Sequence, residues 1–268
     1  RYYLKIKRKK EEAISKAEHL LTQSFVDMSS SSLSNISLAI ETINPFIDLF
    51  PMLSDPYSNG KKVNAIIVAE KMIRKYNEDL ELQFSPTSIH AMALINDNKK
   101  IVINLKSNNR NTKVSNLRIN VRLNDKKSDE FFITDKNGRA EYQLKQLNIP
   151  SGNHVFIFTL DYENMMSQKA QQIVQVIPKE YSLDVKLKSP KIYFDGNVSN
   201  LGEQINNSSV FSALKECLED NYSSTFIDSK IESDIMLKVV VSTEQRSKRL
   251  GDNYPYFVYA TGSISVIN

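Results

Sequence analysis

The sequence predicts a multidomain α+β protein. A helical hairpin is expected over residues 1–79, an antiparallel β-sandwich over 80–180, and a mixed α/β domain of order β-α-β-β-β over 183–268, cut short at its C-terminal end. Three observations predict this. Apolar residues recur every third or fourth position in the first part, alternate with polar ones in the second, and mix the two periods in the third. At roughly 100–200 residues per domain, 268 residues leave room for two domains or three small ones.

The first helix is read from Ala13, Ile14, Ala17, Leu20, Leu21 and Phe25, whose spacing makes one buried stripe. The Ser29–Ser32 run interrupts it and offers N-cap residues for a second helix carrying Leu33, Ile36, Ala39, Ile40, Ile43 and Ile47. Pro45 lacks a backbone donor and should bend that helix near Asn44. Pro51, Pro56 and Asn59-Gly60 mark a loop. A third helix is expected from Val63 to Tyr76, with Val63, Ile66, Ile67, Ile73 and Tyr76 on one side and Ala69 flanking.

From Leu80 the period changes. Leu80–Phe84, Ile101–Leu105, Leu117–Leu123, Ala140–Leu144 and, more loosely, Val155–Phe158 alternate, as strands with one buried face do. The segment Thr134-Asp135-Lys136-Asn137-Gly138-Arg139-Ala140 reads as a tight hairpin turn whose Asn-Gly pair tolerates positive φ.

In the last part, Lys191–Asp195 reads as a strand, Asn200-Leu201-Gly202 as a turn and Ser209–Leu218 as a helix. Phe226-Ile227, Ile235–Val241 and Tyr256–Val266 follow as strands. The last two pair as a hairpin across the polar connection Gln245–Asn253. A closing helix is expected after the final strand, where Asn268 ends the sequence.

Composition narrows the chemistry. Hydrophobic residues make up 41% and charged residues 25%, which excludes a disordered or fibrous chain. No apolar run reaches the roughly 18 residues of a membrane helix. The single Cys217 excludes an internal disulfide framework and a Cys-rich zinc module. His19, His90 and His154 lie far apart, without the spacing of a helix-borne metal site. None of the seven glycines falls in a nucleotide-binding loop or a nucleophile elbow. The net charge of +4, from 35 basic and 31 acidic residues, is too balanced for binding nucleic acid along the whole surface.

Asp135 and Asn137 offer oxygen ligands to calcium, but too few carboxylates alternate there, and Asp135 capping the loop backbone accounts for the turn. Cys217 is spaced with Leu214 and is expected in the core as a small hydrophobe, without a histidine partner to activate it. Glu216, Glu219, Asp220, Asp228, Glu232 and Asp234 sit where solvated acids normally do, and no acid–base pair is assigned among them. The basic start, Arg1, Lys5, Lys7, Arg8, Lys9 and Lys10, suits either a solvated helix end or a segment near anionic headgroups. Arg246, Lys248 and Arg249 beside Tyr254, Tyr256, Phe257 and Tyr259 suit a hairpin loop better than a base-stacking surface. Accordingly no catalytic residue, metal ligand or cofactor is assigned, and no binding residue is fixed.

Three blocks carry a resemblance: Ala39-Ile40-x-x-Ile43-Asn44-Pro45, Thr134-Asp135-x-x-Gly138-x-Ala140, and Ser233–Val239 ahead of a strand ending Ser263-Ile264-Ser265-Val266. Together they are similar to envelope lipoproteins of Bacteroidetes-type bacteria related to the curli-secretion lipoprotein CsgG and the flagellar protein FlgT. The turn block resembles immunoglobulin-like modules of the invasin and carboxypeptidase-regulatory kind. The last block resembles the α/β domain of CsgG-like and TolB-like periplasmic proteins. The resemblance implies an immunoglobulin-like middle domain, a periplasmic or outer-membrane location, and no catalysis.

The expected function is therefore a non-enzymatic cell-envelope component, structural or partner-binding, whose partners are other envelope proteins or further copies of itself. The chain reads as an excised fragment, so membrane association is expected only through an anchor before Arg1. The alternative is a carbohydrate-binding or enzyme-accessory protein that uses the sandwich. It would need exposed aromatics lined up on one sandwich face, where Phe131, Phe132, Tyr142, Phe156 and Phe158 are the ones to inspect, whereas alternation turns most of them inward.

Overall fold

The computed structural model describes residues 2–26, 31–95, 98–109, 112–124, 130–144, 147, 149–205, 209–245 and 258–267. Its elements run α1 (Tyr2–Val26), α2 (Ser31–Ile43), a 3-10 turn (Asn44–Leu49), β1 (Met52–Ser54), β2 (Lys62–Asn64), α3 (Ala65–Asp79), β3 (Leu80–Ser85), β4 (Ser88–Met92), β5 (Lys100–Ser107), β6 (Thr112–Lys113), β7 (Arg118–Leu123), β8 (Phe131–Ile133), β9 (Arg139–Gln143) and β10 (Gly152–Leu160). Then follow α4 (Tyr162–Met165), α5 (Gln168–Ile173), β11 (Glu180–Lys188), β12 (Lys191–Asn200), β13 (Glu203–Gln204), α6 (Ser209–Tyr222), β14 (Thr225–Ile227), β15 (Ile235–Gln245) and β16 (Val258–Ile267). The protein is mixed α+β, with several sheets, six α-helices among the described residues, and a helix pair at its start.

The chain divides into two compact units. The first is residues 1–88, 100–143 and 155–184; the second is 89–99, 144–154 and 185–268. In the first, α1 buries Ala17, Leu20 and Leu21, while α2 buries Leu33, Ile36, Ala39, Ile40 and Ile43. Each large aliphatic side chain so removed from water contributes about 1.5–3 kcal/mol. Helix α2 stops at Ile43, because Pro45 stands at the first turn of the 3-10 segment that follows. The loop 55–61 is held by Asp55. Its carboxylate accepts from Tyr57 N (2.9 Å), Ser58 Oγ (2.7 Å) and Lys71 Nζ (2.6 Å).

The third helix begins two residues later than its apolar pattern predicts. Residues 62–64 pair with 52–54 as a β-ribbon, and Asn64 then caps α3 by accepting from Ile66 N at 3.0 Å. The buried stripe becomes Ala65, Val68, Ala69, Met72, Ile73 and Tyr76, so Ile67 faces out and is 55% exposed.

Two sets of paired strands follow in this unit. One joins β3, β5 and β6, with β9 also on β5; the other is the β11-β10-β7-β8 part of a five-stranded path that begins with β4. Buried Ile101, Ile103 and Leu105 come from the first, and Ile119, Val121, Phe156 and Phe158 from the second. Phe84 of the first set meets Phe158 of the second at 4.7 Å between ring centres. Between β10 and β11, where only strands are expected, the chain forms α4 and α5. Asp161 and Ser167 cap them by accepting from Asn164 N and Ala170 N. Two helices this short present no periodic stripe to read.

In the second unit, β12 and β15 are parallel, β14 is parallel to β12, and β16 closes antiparallel on β15, giving the path β13-β12-β15-β16. Ile192, Ile235, Leu237 and Val239 form the core of this sheet, packed by Phe194, Phe226 and Val241, by Phe211, Leu214 and Leu218 of α6, and by Leu94 and Ile95. No helix among the described residues is long and apolar enough to cross a membrane.

Candidate functional site

The turn at 134–140 is built from its side chains. Thr134 is buried; its hydroxyl donates to Val114 O (3.1 Å) and accepts from Leu117 N (3.0 Å). The Asp135 carboxylate accepts from Asn137 N (2.7 Å) and Arg139 N (2.9 Å), and these backbone donors, Arg139 foremost, hold it below the usual aspartate range. Gly138, at φ +66, lies against Leu105 and the Val114 backbone with no room for a β-carbon. The turn is not a hairpin: β8 pairs with β7, whereas β9 pairs with β5. It is an arch between two sets of strands, and the Thr134 and Gly138 contacts divert the chain from one to the other. The oxygen of Asp135 that accepts both amides is committed to the loop backbone, as a cap requires.

Two open grooves lie in the first unit. One, of about 720 Å³, lies between α3 and residues 175–179, with exposed Ile67 and Ile177 at its rim. Its cations are engaged internally: Lys71 with Asp55, Arg74 with Glu78 at 3.9 Å, and Lys179 donating to Leu80 O at 2.7 Å. The other, of about 610 Å³, is lined by Arg118, Asn120, Arg122, Thr159, Asp161 and Glu180. Arg118 pairs with buried Asp161 at 2.5 Å and lies over the Phe131 ring, 3.5 Å from its centre; Arg122 pairs with Glu180 at 2.5 Å. Of the five aromatics singled out in the sequence, Phe156 and Phe158 are buried, Phe132 and Tyr142 are half-buried, and Phe131 is 46% exposed.

The third feature is the outer edge of the C-terminal sheet. Paired residues share a face, so Val266 continues the face of Leu237, and Ile264 that of Val239. Helix α6 covers that face over β12 and β15, yet Ile264 and Val266 remain 60% and 59% exposed. Ten residues long, β16 contains neither a charge nor a proline. It ends the strand path, with no further strand beside it among the described residues. The opposite edge differs: β13 has two residues, one of them Glu203, and β14 has three.

Other candidates fall elsewhere. Cys217 is exposed, not in the core: the inward stripe of α6 is Phe211, Leu214 and Leu218, and Cys217 lies about 120° around the helix from Phe211. Glu216, Glu219, Asp220, Asp228 and Glu232 are exposed, and Asp234 instead clamps β12 by accepting from Lys191 N at 2.8 Å. Lys5, Lys7, Arg8 and Lys9 are exposed on α1, with Arg8 paired to Glu12, while Lys10 donates to Leu49 O. Arg246, Lys248, Arg249, Tyr254, Tyr256 and Phe257 lie outside the described residues, as does Arg1; Tyr259 stands on β16 opposite Glu244. Among the described residues no cluster of three or more His, Cys, Asp or Glu is arranged to hold a metal.

Sequence reasoning passed over Ile264 and Val266, because alternation marks a strand's faces without saying which faces are covered. A signal was available: the stretch 258–267 is the longest strand segment without a charged residue.

No family model matches the chain, and no curated protein matches it. Among solved structures, the WR4 member of the C. elegans MSP family is 13% identical over 40% of this chain and 97% of its own, with a TM-score of 0.27. An endo-beta-1,4-mannanase from Thermotoga petrophila is 14% identical over 58% of this chain and 35% of its own, with a TM-score of 0.24. Both likenesses are too slight to carry a fold or an activity to this chain.

Proposed function

We propose that this chain is a non-enzymatic component of a bacterial outer-membrane or periplasmic assembly, and that it works by docking a protein partner on its C-terminal sheet. The observation that supports the reading is the β16 edge: ten residues long, uncharged, with Ile264 and Val266 exposed on one face and no further strand beside it among the described residues. Natural sheets avoid such edges unless something pairs with them. Adding a strand there supplies main-chain hydrogen bonds for affinity and apolar contacts for register.

In this reading the helix pair and the middle strands are a spacer. The paired sheets of residues 80–180 are read as an immunoglobulin-like sandwich whose arch at Thr134–Ala140 is wired to its own backbone. The C-terminal part is read as the CsgG/TolB-like domain. The envelope location rests on the resemblance of the three sequence blocks.

The test is a photo-reactive benzoyl-phenylalanine at Ser263 in bacteria producing the protein, with the same group at Glu219 on the exposed side of α6 as control. A discrete adduct at Ser263 in the envelope fraction is expected. Labelling no greater than at Glu219, or recovery in the cytosol alone, overturns the reading.

A second reading, carbohydrate binding by the middle domain, is favoured by the groove that gathers Arg118, Asn120, Arg122 and Thr159, with exposed Phe131 under Arg118 and paired across the strands with Asn120. Planar polar groups next to an aromatic ring suit sugar hydroxyls and their C–H faces. Calorimetry against a glycan panel decides it, since binding that Asn120→Ala abolishes is expected from this reading and not from the first.

A further inference from the structure

We infer that the partner at β16 is a second copy of this chain, its β16 paired antiparallel with the first across a two-fold axis. The inference rests on the reading of β16 as a docking edge and names its occupant.

Among the described residues the sheet has one blunted side, where short β13 and β14 sit on β12, and one side, at β16, where no further strand lies. Joining two copies through β16 gives the continuous order β13-β12-β15-β16-β16-β15-β12-β13. Both outer edges of the joined sheet are then blunted ones, so growth stops at two. A foreign strand would cover β16 but bring an edge of its own.

The β16 strand also matches itself. Residues facing each other across an antiparallel pair lie on the same side of the sheet. With Ser263 on the axis, Ile264 of each copy meets Gly262 of the other, and Val266 meets Ala260. Large side chains therefore fall on small ones on the α6 side. On the opposite side Thr261 meets Ser265. The strand carries no charge, so like pairs with like without repulsion. Pairing also covers Ile264 and Val266, which α6 leaves exposed.

The test uses the 268-residue chain. Light scattering after size exclusion is expected to give twice the 30.6 kDa monomer at micromolar concentration. Ile264→Lys places two charges at the seam and is expected to weaken the dimer roughly a hundredfold. Because Ile264 is 60% exposed, the circular dichroism spectrum of the monomer is expected not to change. In a Cys217→Ser background, Ser263→Cys is expected to form an intermolecular disulfide on mild oxidation, whereas Ser212→Cys on α6 is not.

A monomer at high micromolar concentration overturns the inference, as does a dimer that survives Ile264→Lys and does not cross-link at position 263. If the protein is monomeric but Ser263 still gives a photo-adduct to a different envelope protein, the second copy is excluded and the docking edge stands. If both experiments are negative, both readings fall.

Discussion

Gly196 of β12 lies directly beneath Phe211 of α6: a β-carbon on Gly196 would stand 2.5 Å from both the Phe211 and Phe194 rings. The Phe194 and Phe211 rings meet edge to face at 5.0 Å between centres, so the glycine sets how closely the helix approaches the sheet. Gly196→Val is therefore expected to push α6 off β12 and to destabilise the C-terminal unit by about 1–3 kcal/mol. Urea unfolding followed by near-ultraviolet circular dichroism measures it. An unchanged midpoint would mean that the helix is not seated on this strand.

The Thr134 hydroxyl serves two backbone groups, accepting from Leu117 N and donating to Val114 O, at a position 1% exposed. Valine has nearly the same shape and neither capacity. Thr134→Val should leave both groups buried and unpaired and cost about 2–3 kcal/mol, while Thr134→Ser should recover most of the loss. If valine is as stable as threonine, the arch is held by packing and not by these bonds.

Asp55 gives the helical part a defined acid sensitivity. Burial alone would raise its pKa, but bonds from Lys71, Ser58 and the Tyr57 amide outweigh it and hold the carboxyl below its ordinary value. A carboxyl depressed in the folded state contributes stability above its unfolded pKa, roughly 3.9, and loses that contribution as pH falls through the folded value. Wild-type stability should thus decline below about pH 4 more steeply than that of Asp55→Asn. Lys71→Ala, which leaves Asp55 buried without its cation, should cost about 2–3 kcal/mol near neutrality. Urea midpoints across the acid range test both, and parallel curves for wild type and Asp55→Asn would exclude the mechanism.

Periodicity made the α-helices of residues 2–43 and the strands around Ile101, Ile119 and Phe156 legible, because each carries several apolar residues on one side. What it missed depends on contacts between distant residues. Ile67 fits the apolar period of α3, but β1–β2 pairing and the Asn64 cap shift the start of the helix and turn Ile67 outward. The turn chemistry of Asp135–Gly138 was readable, yet whether it joins neighbours in one sheet or crosses to another is set by Thr134 and Gly138 meeting Val114 and Leu105. The candidate docking edge was hidden for the same reason: that 258–267 is a strand is local, whereas which side of it stays open is a property of the whole sheet.

Cys217 tests the rotation of α6 about its own axis. The sequence placed it inward because it stands three residues after Leu214, but the helix is seated on Phe211, Leu214 and Leu218, and the thiol faces solvent. Its Sγ has Asn221 Nδ2 at 3.5 Å, which does not shield it from reagent. Native protein should therefore react with a maleimide or an aromatic disulfide to one equivalent. The rate should fall within about tenfold of that in denaturant, because an exposed thiol reacts according to its thiolate fraction and its access. The labelled protein should keep its native spectrum, since no core position is filled. Reaction that begins only on unfolding would rotate α6 by about a third of a turn, bring Cys217 into the apolar seam, and require Phe211 to leave its place over Gly196.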